Sequence, residues 1–141
     1  MSDFAAGGAR FDDGGEPEQE LKIAKYLEPG EGIDADICLS QNIRSLMGNF
    51  PKLEQFVFRH PNIKAIALQE VWAPDFPPKL QGFQKFISRT RSKRKGGGVG
   101  FYLAEDLQYD IIDSPFTEGV LETLCIELKL GKNKKTRIYL P

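Results

Sequence analysis

IKAIALQEVW, residues 63–72, decides how this chain is read. Ile63 to Leu68 is apolar at nearly every position, the signature of a strand hidden on both faces. The run then delivers a carboxylate, Glu70, followed by Trp72 and several prolines. A second short strand precedes it, starting at Ile37 to Leu39 and running towards Asn42. Between the two, Asn49-Phe50-Pro51 reads as a helix start, with Asn49 as the cap and Pro51 tolerated in the first turn. Leu53, Phe56 and Val57 share one helical face, and Pro61 ends the run. The order strand, helix, strand, with a crossover just long enough, predicts parallel pairing. Open α/β sheets collect functional groups at the carboxyl ends of their strands. Asn42 and Glu70 both occupy such ends, so their side chains are expected to meet over the sheet edge.

From Gly82 the period changes. Phe83, Phe86 and Ile87 belong to a strand-like stretch, Val99 to Leu103 to another, and Tyr109 to Ile112 to a further one after a turn at Asp106-Leu107. Leu121 to Leu130 alternates, with Leu121, Thr123, Cys125 and Glu127 on one side and Glu122, Leu124, Ile126 and Leu128 on the other. Gly131 to Lys135 reads as a turn and Arg137 to Leu140 as the last strand. The fold class is therefore mixed α/β. Both faces of such sheets need cover, yet residues 82–141 supply almost no helix. The ending IYLP lies within an interior-type strand, which predicts that the fold is incomplete at its C-terminal side: either another part of a longer protein completes the core, or the chain is a truncated product.

Charge is divided along the sequence. Residues 1–36 carry ten acidic and three basic side chains, net −7, and residues 37–141 carry ten acidic and sixteen basic, net +6. Residues 1–35 read as an acidic, Gly-rich leader, mostly disordered up to about Gly15, with a short helix over Glu16 to Leu27 that Pro29, Gly30 and Gly32 stop. Residues 36–141 read as the structured domain. No apolar run is long enough to cross a membrane, and no secretory signal opens the chain. Cys38 and Cys125 sit in strand-like surroundings and read as buried thiols of an intracellular protein.

Two places can carry chemistry. Asn42 and Glu70 together offer an amide and a carboxylate, a partial oxygen-ligand site for a hard cation such as Mg2+. The bland alternative is a pair of strand-ending residues bonded to loop amides. RTRSKRK, residues 89–95, holds five basic side chains in seven and is followed by Gly96 to Gly98. Clustered Lys and Arg suit a phosphate backbone, and the glycines permit close approach or positive φ. A solvated surface loop or a nuclear localisation signal fits the same composition. His60 beside Pro61 needs no role beyond a helix end, and Tyr139 reads as a packing residue.

Taken in order, ICLSQNIRSLMGNFPKLEQFVF, IKAIALQEVW, GFQKFISRTRSKRKGGGVGFYL, LETLCIELKL and TRIYLP resemble the endonuclease/exonuclease/phosphatase superfamily. The likeness is greatest to the apurinic-endonuclease-like domain of non-LTR (LINE-type) retrotransposon polyproteins, and it covers about residues 36–141, the N-terminal half of such a domain. The resemblance implies a four-layer α/β sandwich, present here in part, and metal-dependent cleavage of DNA phosphodiester bonds. It implies that Asn42 orients the phosphate or attacking water, that Glu70 holds Mg2+ or Mn2+ with Asn42 beside it, and that Tyr139 lies near the scissile phosphate. Arg44 departs from the cellular repair branch, which carries a carboxylate there. Arg44, Arg89, Arg91, Lys93, Arg94 and Lys95 become the expected DNA contacts.

The resemblance also implies an Asp-x-Asn pair, a later aspartate and a final histidine beyond the YxP segment, and these positions are absent. The expectation is thus an endonuclease by descent that lacks its general base in this chain and is inactive. The alternatives are a non-catalytic nucleic-acid-binding remnant and a phosphatase-type member of the superfamily. The implied partners are DNA and, in a longer protein, a downstream reverse transcriptase, with no membrane.

Overall fold

The computed structural model describes residues 2–5, 23–26, 37–72, 75–92, 96–131 and 134–141. Its elements in chain order are β1 (Ser2–Ala5), β2 (Ile23–Tyr26), β3 (Ile37–Asn42), α1 (Leu46–Arg59), β4 (Ile63–Gln69), β5 (Ile87–Arg89), β6 (Val99–Leu103), β7 (Gln108–Ile112), β8 (Phe116–Thr117), β9 (Leu121–Glu122), β10 (Leu124–Gly131) and β11 (Lys134–Leu140). One sheet has the order β2-β3-β4-β6-β5, a second has β1-β11-β10-β7, and β8 and β9 form a small hairpin of their own. The class is α/β, built mostly of strands with one helix among the described residues.

The apolar run of β4 explains the centre. From Ala65 to Leu68 its side chains alternate between two buried clusters, and Ile63 before them joins the helix-side one. Ile63, Ile66 and Leu68 join Ile37, Leu39, Tyr102 and the helix residues Leu46 and Leu53 on one side. Ala65 and Ala67 join Cys38, Phe101 and Leu103 on the other, where Leu124, Ile126, Leu128, Ile138 and Leu140 of the second sheet meet them. A strand covered by a helix on one face and a sheet on the other must be apolar at successive positions, which is what IKAIAL supplies. The layers among the described residues are therefore helix, sheet, sheet. No described helix covers the outer face of the second sheet.

β3 and β4 pair in parallel, with Leu39 opposite Ile66 and Asn42 opposite Gln69. β6 then runs antiparallel to β4. Gly100 on β6 has no room for a side chain, since a Cβ there would strike the ring of Phe86 and come within 2.8 Å of the Ile87 carbonyl.

Three expectations are corrected. The helix begins at Leu46, not at Asn49: Ser45 is the cap, its hydroxyl accepting from the Gly48 amide at 3.0 Å. Pro51 consequently lies inside the helix. Asn49 is buried and donates its side-chain amide to the carbonyls of Ile43 (2.8 Å) and Arg44 (3.0 Å), tying the helix to the preceding loop. The helix expected over Glu16 to Leu27 is replaced at Ile23–Tyr26 by a strand antiparallel to β3. The open edge of β3 offers ladder hydrogen bonds to a stretch containing Ile and Tyr, which favour strands. The remainder of that stretch lies outside the described residues, as does most of the leader, within which Ser2–Ala5 pair with β11. Third, the strand expected over Leu121 to Leu130 is interrupted at Thr123, whose hydroxyl donates to the Pro115 carbonyl. Both cysteines are buried thiols.

Because Gly100 is closed by backbone as well as by a ring, Gly100→Ala is expected to destabilise the fold by about 1–3 kcal/mol, the usual cost of overpacking. A urea midpoint unchanged from the native chain would show that β5 yields freely.

Candidate metal and phosphate site

The parallel register of β3 and β4 brings their carboxyl ends level. Asn42 projects from β3 with the same parity as Cys38, towards the inter-sheet side. Glu70 follows β4, and its backbone turns into the left-handed region, φ 52°. The turn carries the carboxylate back over the strand end, where the Asn42 side-chain amide donates a hydrogen bond to its Oε2. That contact fixes the amide's orientation, because only the nitrogen can face a carboxylate. The other atom of the amide, Oδ1, is buried and has no hydrogen-bond partner.

Backbone strain concentrates here. The non-glycine residues with positive φ among the described residues are Arg44 (47°), Ser45 (85°), Glu70 (52°) and Trp72 (55°), all just beyond β3 and β4. Such conformations cost on the order of 1–3 kcal/mol each and persist where surroundings over-determine them. They do so through a lattice of backbone hydrogen bonds. Ile43, Ser45 and Leu46 donate to the carbonyls of Gln69 (3.0 Å), Glu70 (2.9 Å) and Val71 (3.1 Å). Val71 and Trp72 in turn donate to the carbonyls of Gly98 (3.2 Å) and Gly97 (2.9 Å). The triple glycine is thus a strap across the end of β4. Gly96, Gly97 and Gly98 all have positive φ, and a Cβ on Gly97 would lie 2.5 Å from the guanidinium of Arg91.

These segments enclose an open cavity of about 580 Å3 whose lining includes Asn42, Glu70, Trp72, Arg91, the three glycines and Glu122. Gln69 and Pro141 also line it, the Gln69 side-chain amide donating to the Pro141 carbonyl at 3.1 Å.

Glu122 was not among the expected site residues. Its Oε1 accepts from the Gly98 amide (2.9 Å), and its Oε2 accepts from the Gly119 amide (2.8 Å) and from Arg91 Nε. Burial alone would raise its pKa. The bond from Arg91, the two amides and the Arg91 charge outweigh it and hold the carboxyl below its usual range. A signal was present in the sequence: Glu122 keeps step with Leu124, Ile126 and Leu128, so a carboxylate shares the phase of the core.

The basic cluster divides. Arg89 points into the protein, its Nη1 donating to the Ser114 carbonyl (2.7 Å) and hydroxyl (3.3 Å) and to the Thr123 carbonyl (3.3 Å). Arg91 is taken up by Glu122. These two arginines act as internal staples, contrary to the expectation of phosphate contacts, because buried carbonyls and a carboxylate lie within reach of their guanidinium groups. Lys93, Arg94 and Lys95 lie outside the described residues. Arg44 is exposed beside the strained turn and does not line the cavity.

Tyr139 is not brought to the cavity. Ile138 and Leu140 point into the core between the sheets, so the alternation of β11 puts Tyr139 on the opposite face, level with Cys125. His60 is also remote. Its Nδ1 pairs with the Phe56 carbonyl at 2.8 Å, its ring stacks on Phe56, and its carbonyl accepts from Ile63 at the start of β4. β4 separates it from Glu70 by roughly 20 Å.

The donor set fits a hard divalent cation of the Mg2+ type. Such an ion takes one or two carboxylates and completes its shell with waters and substrate oxygens. Glu70 supplies a carboxylate, and the orphaned Oδ1 of Asn42 is an acceptor in need of a partner. No group of three or more His, Cys, Asp or Glu side chains suited to a metal occurs among the described residues, so no all-protein cage is formed by them.

No family model, curated protein or solved structure matches the chain. No described helix is long and apolar enough to cross a membrane.

The lowered pKa of Glu122 has a definite sign. Its charge stabilises the fold fully above the unfolded value of about 4.3, and that contribution disappears as pH falls through the lower folded value. The stability gap between the native chain and Glu122→Gln should therefore hold from pH 7 to about 5 and shrink below about 4. Urea unfolding across that range measures it, and a gap constant down to pH 3 would contradict the assignment.

Proposed function

We propose that this chain carries the metal-binding half of a phosphodiesterase site of the endonuclease/exonuclease/phosphatase kind, with a DNA backbone as the polyanion it engages. The observation that carries the reading is the Asn42–Glu70 contact at the level ends of two parallel strands, within an open cavity and beside an unpartnered amide oxygen. The strained turns after both strands support it, since strain collects where geometry serves function. The resemblance of the NIRSL, LQE and GGGV segments to retrotransposon endonuclease domains supports the same reading, and the helix-sheet-sheet layering is compatible with part of a four-layer sandwich.

In this proposal Glu70 is the residue that holds Mg2+ or Mn2+, with Asn42 fixing its carboxylate and offering Oδ1. When bound, the ion supplies charge neutralisation at the phosphate and the leaving oxygen. Asn42 contributes orientation, and the glycine strap leaves backbone close to the ligand without side chains in the way. Trp72, 44% exposed at the cavity wall, presents an aromatic surface to a nucleotide. The chain's single histidine is at the far end of the sheet, so the general-base step is not assigned to it.

Two results are expected. Mn2+ should broaden the NMR signals of the Asn42 side-chain amide and the Gly98 amide in the native chain, and Glu70→Gln should weaken that effect at least about tenfold, the loss of one charged ligand from a sparse site. Broadening spread evenly over surface carboxylates, and unchanged by Glu70→Gln, would remove the proposal. With plasmid DNA and Mg2+, the native chain should nick no faster than Glu70→Ala, because the chain's single histidine pairs with Phe56 at the far end of β4 and Glu122 is taken up by Arg91 and two amides. Efficient nicking by the native chain alone would mean that another group takes that role.

Duplex DNA should nevertheless bind weakly, with affinity falling as salt rises by a log–log slope of about −0.9 per phosphate neutralised. Replacing Lys93, Arg94 and Lys95 by alanine should flatten that slope, whereas Arg89→Ala should lower thermal stability instead. Equal slopes in native and triple-alanine chains would separate the basic run from any DNA contact.

A further inference from the structure

We infer that Glu122 is a positioning residue for this cavity: its carboxylate sets the glycine strap that orients Glu70 and keeps Arg91 from the cavity's anion. The inference rests on the proposed reading of the cavity as a metal and phosphate site.

The geometry requires a carboxylate. Three donors converge on two oxygens: Gly98, from the β5–β6 connection, on Oε1, and Arg91 of the same connection with Gly119 of the β8–β9 turn on Oε2. An amide side chain has a single accepting oxygen and would turn an N–H towards at least one of these donors. The two side chains are well shielded, Glu122 being 11% and Arg91 22% exposed. Removing one partner from such a pair leaves an incompletely compensated charge.

From Glu122 the constraint runs to the site in two hydrogen bonds. Glu122 holds the Gly98 amide, and the carbonyls of Gly98 and Gly97 receive the amides of Val71 and Trp72. Glu70 lies between Ser45, which donates to its carbonyl, and that strap. Its left-handed backbone, and that of Trp72, is held from both sides. Loosening the strap frees both residues to relax towards ordinary φ, and the carboxylate of Glu70 swings from Asn42.

The same contact sets the charge of the cavity. Arg91 and Glu122 both line it. Paired, they leave the Glu70 carboxylate facing a nearly neutral wall, which favours a cation. Unpaired, Arg91 would offer its guanidinium to phosphate and oppose the cation. Glu122 thus trades direct anion binding for a cation at Glu70.

That trade distinguishes positioning from plain stabilisation, which would weaken both kinds of binding together. The full chain is compared with Glu122→Gln, which is close to isosteric, and with the double variant Arg91→Gln/Glu122→Gln. In Glu122→Gln, Mn2+ affinity read at the Asn42 side-chain amide is expected to fall about tenfold. DNA binding at low salt is expected to tighten, its salt slope steepening by about 0.9 as Arg91 gains one phosphate. The double variant should return the slope to its native value. Amide hydrogen exchange should quicken at Gly98, Gly119, Val71 and Trp72 but not at Ile66 and Leu68. Unchanged exchange at Val71 and Trp72, or equal loss of protection at Ile66 and Leu68, overturns the positioning role. A slope that falls or stays constant in Glu122→Gln overturns the charge balance. If the native chain shows no Mn2+ effect at Asn42, the site reading fails, and the exchange pattern still decides whether Glu122 orients the β4 end.

Discussion

The parallel pairing of β3 with β4 is the constraint on which the rest of the site depends. Its register sets Asn42 opposite Gln69, so both strands stop at one level and their following residues leave the sheet together. A slip of one residue would send Asn42 to the helix side, where Leu39 and Ile43 pack. Register is secured because every residue of β3 from Ile37 to Gln41 is buried, and β4 cannot shift by one residue without driving Ile66 and Leu68 into the inter-sheet layer that Ala65 and Ala67 fit. Core packing thereby fixes the position of a polar pair that contributes little to the core itself.

The site is as much a feature of loops as of strands. The residues after β3, the residues after β4 and the glycine strap bind one another through main-chain hydrogen bonds, which side-chain substitution disturbs least. Side chains add to this at two places: Asn49 holds the carbonyls after β3, and Glu122 holds the glycine strap. The strained φ values of Glu70 and Trp72 are therefore held by backbone geometry and one carboxylate rather than by local preference.

Much of this was legible in residue order. IKAIAL reveals a strand buried on both faces, and the spacing from ICLSQN to IKAIALQE reveals a parallel pair with matching ends, so the meeting of Asn42 and Glu70 follows from pattern alone. The helix start was less legible, since NFP offers a better local cap than Ser45, and tertiary bonds from Asn49 to the carbonyls of Ile43 and Arg44 reversed the choice. The partners of Arg89 and Arg91 were hidden because Ser114, Thr123 and Glu122 come from segments far along the chain. A run of basic residues looks uniform until the fold supplies acceptors for some of its members. Tyr139 shows the opposite limit: motif order placed it near the site, while strict alternation on β11 turns it away.

The cavity joins segments of unequal sequence separation, and this has a consequence for its opening. β3, α1 and β4 are contiguous over residues 37–69 and close much of their core by local contacts, which form early and open late. The opposite wall comes from Gly96 to Gly98 and the β8–β9 hairpin, a two-stranded element with little buried surface of its own. Elements of that kind open by local unfolding while the remainder stays closed. One wall of the cavity is therefore rigid and the other is a separable unit. Because Glu122 belongs to that hairpin and holds the Gly98 amide, opening of the hairpin also releases the strap that closes over the end of β4.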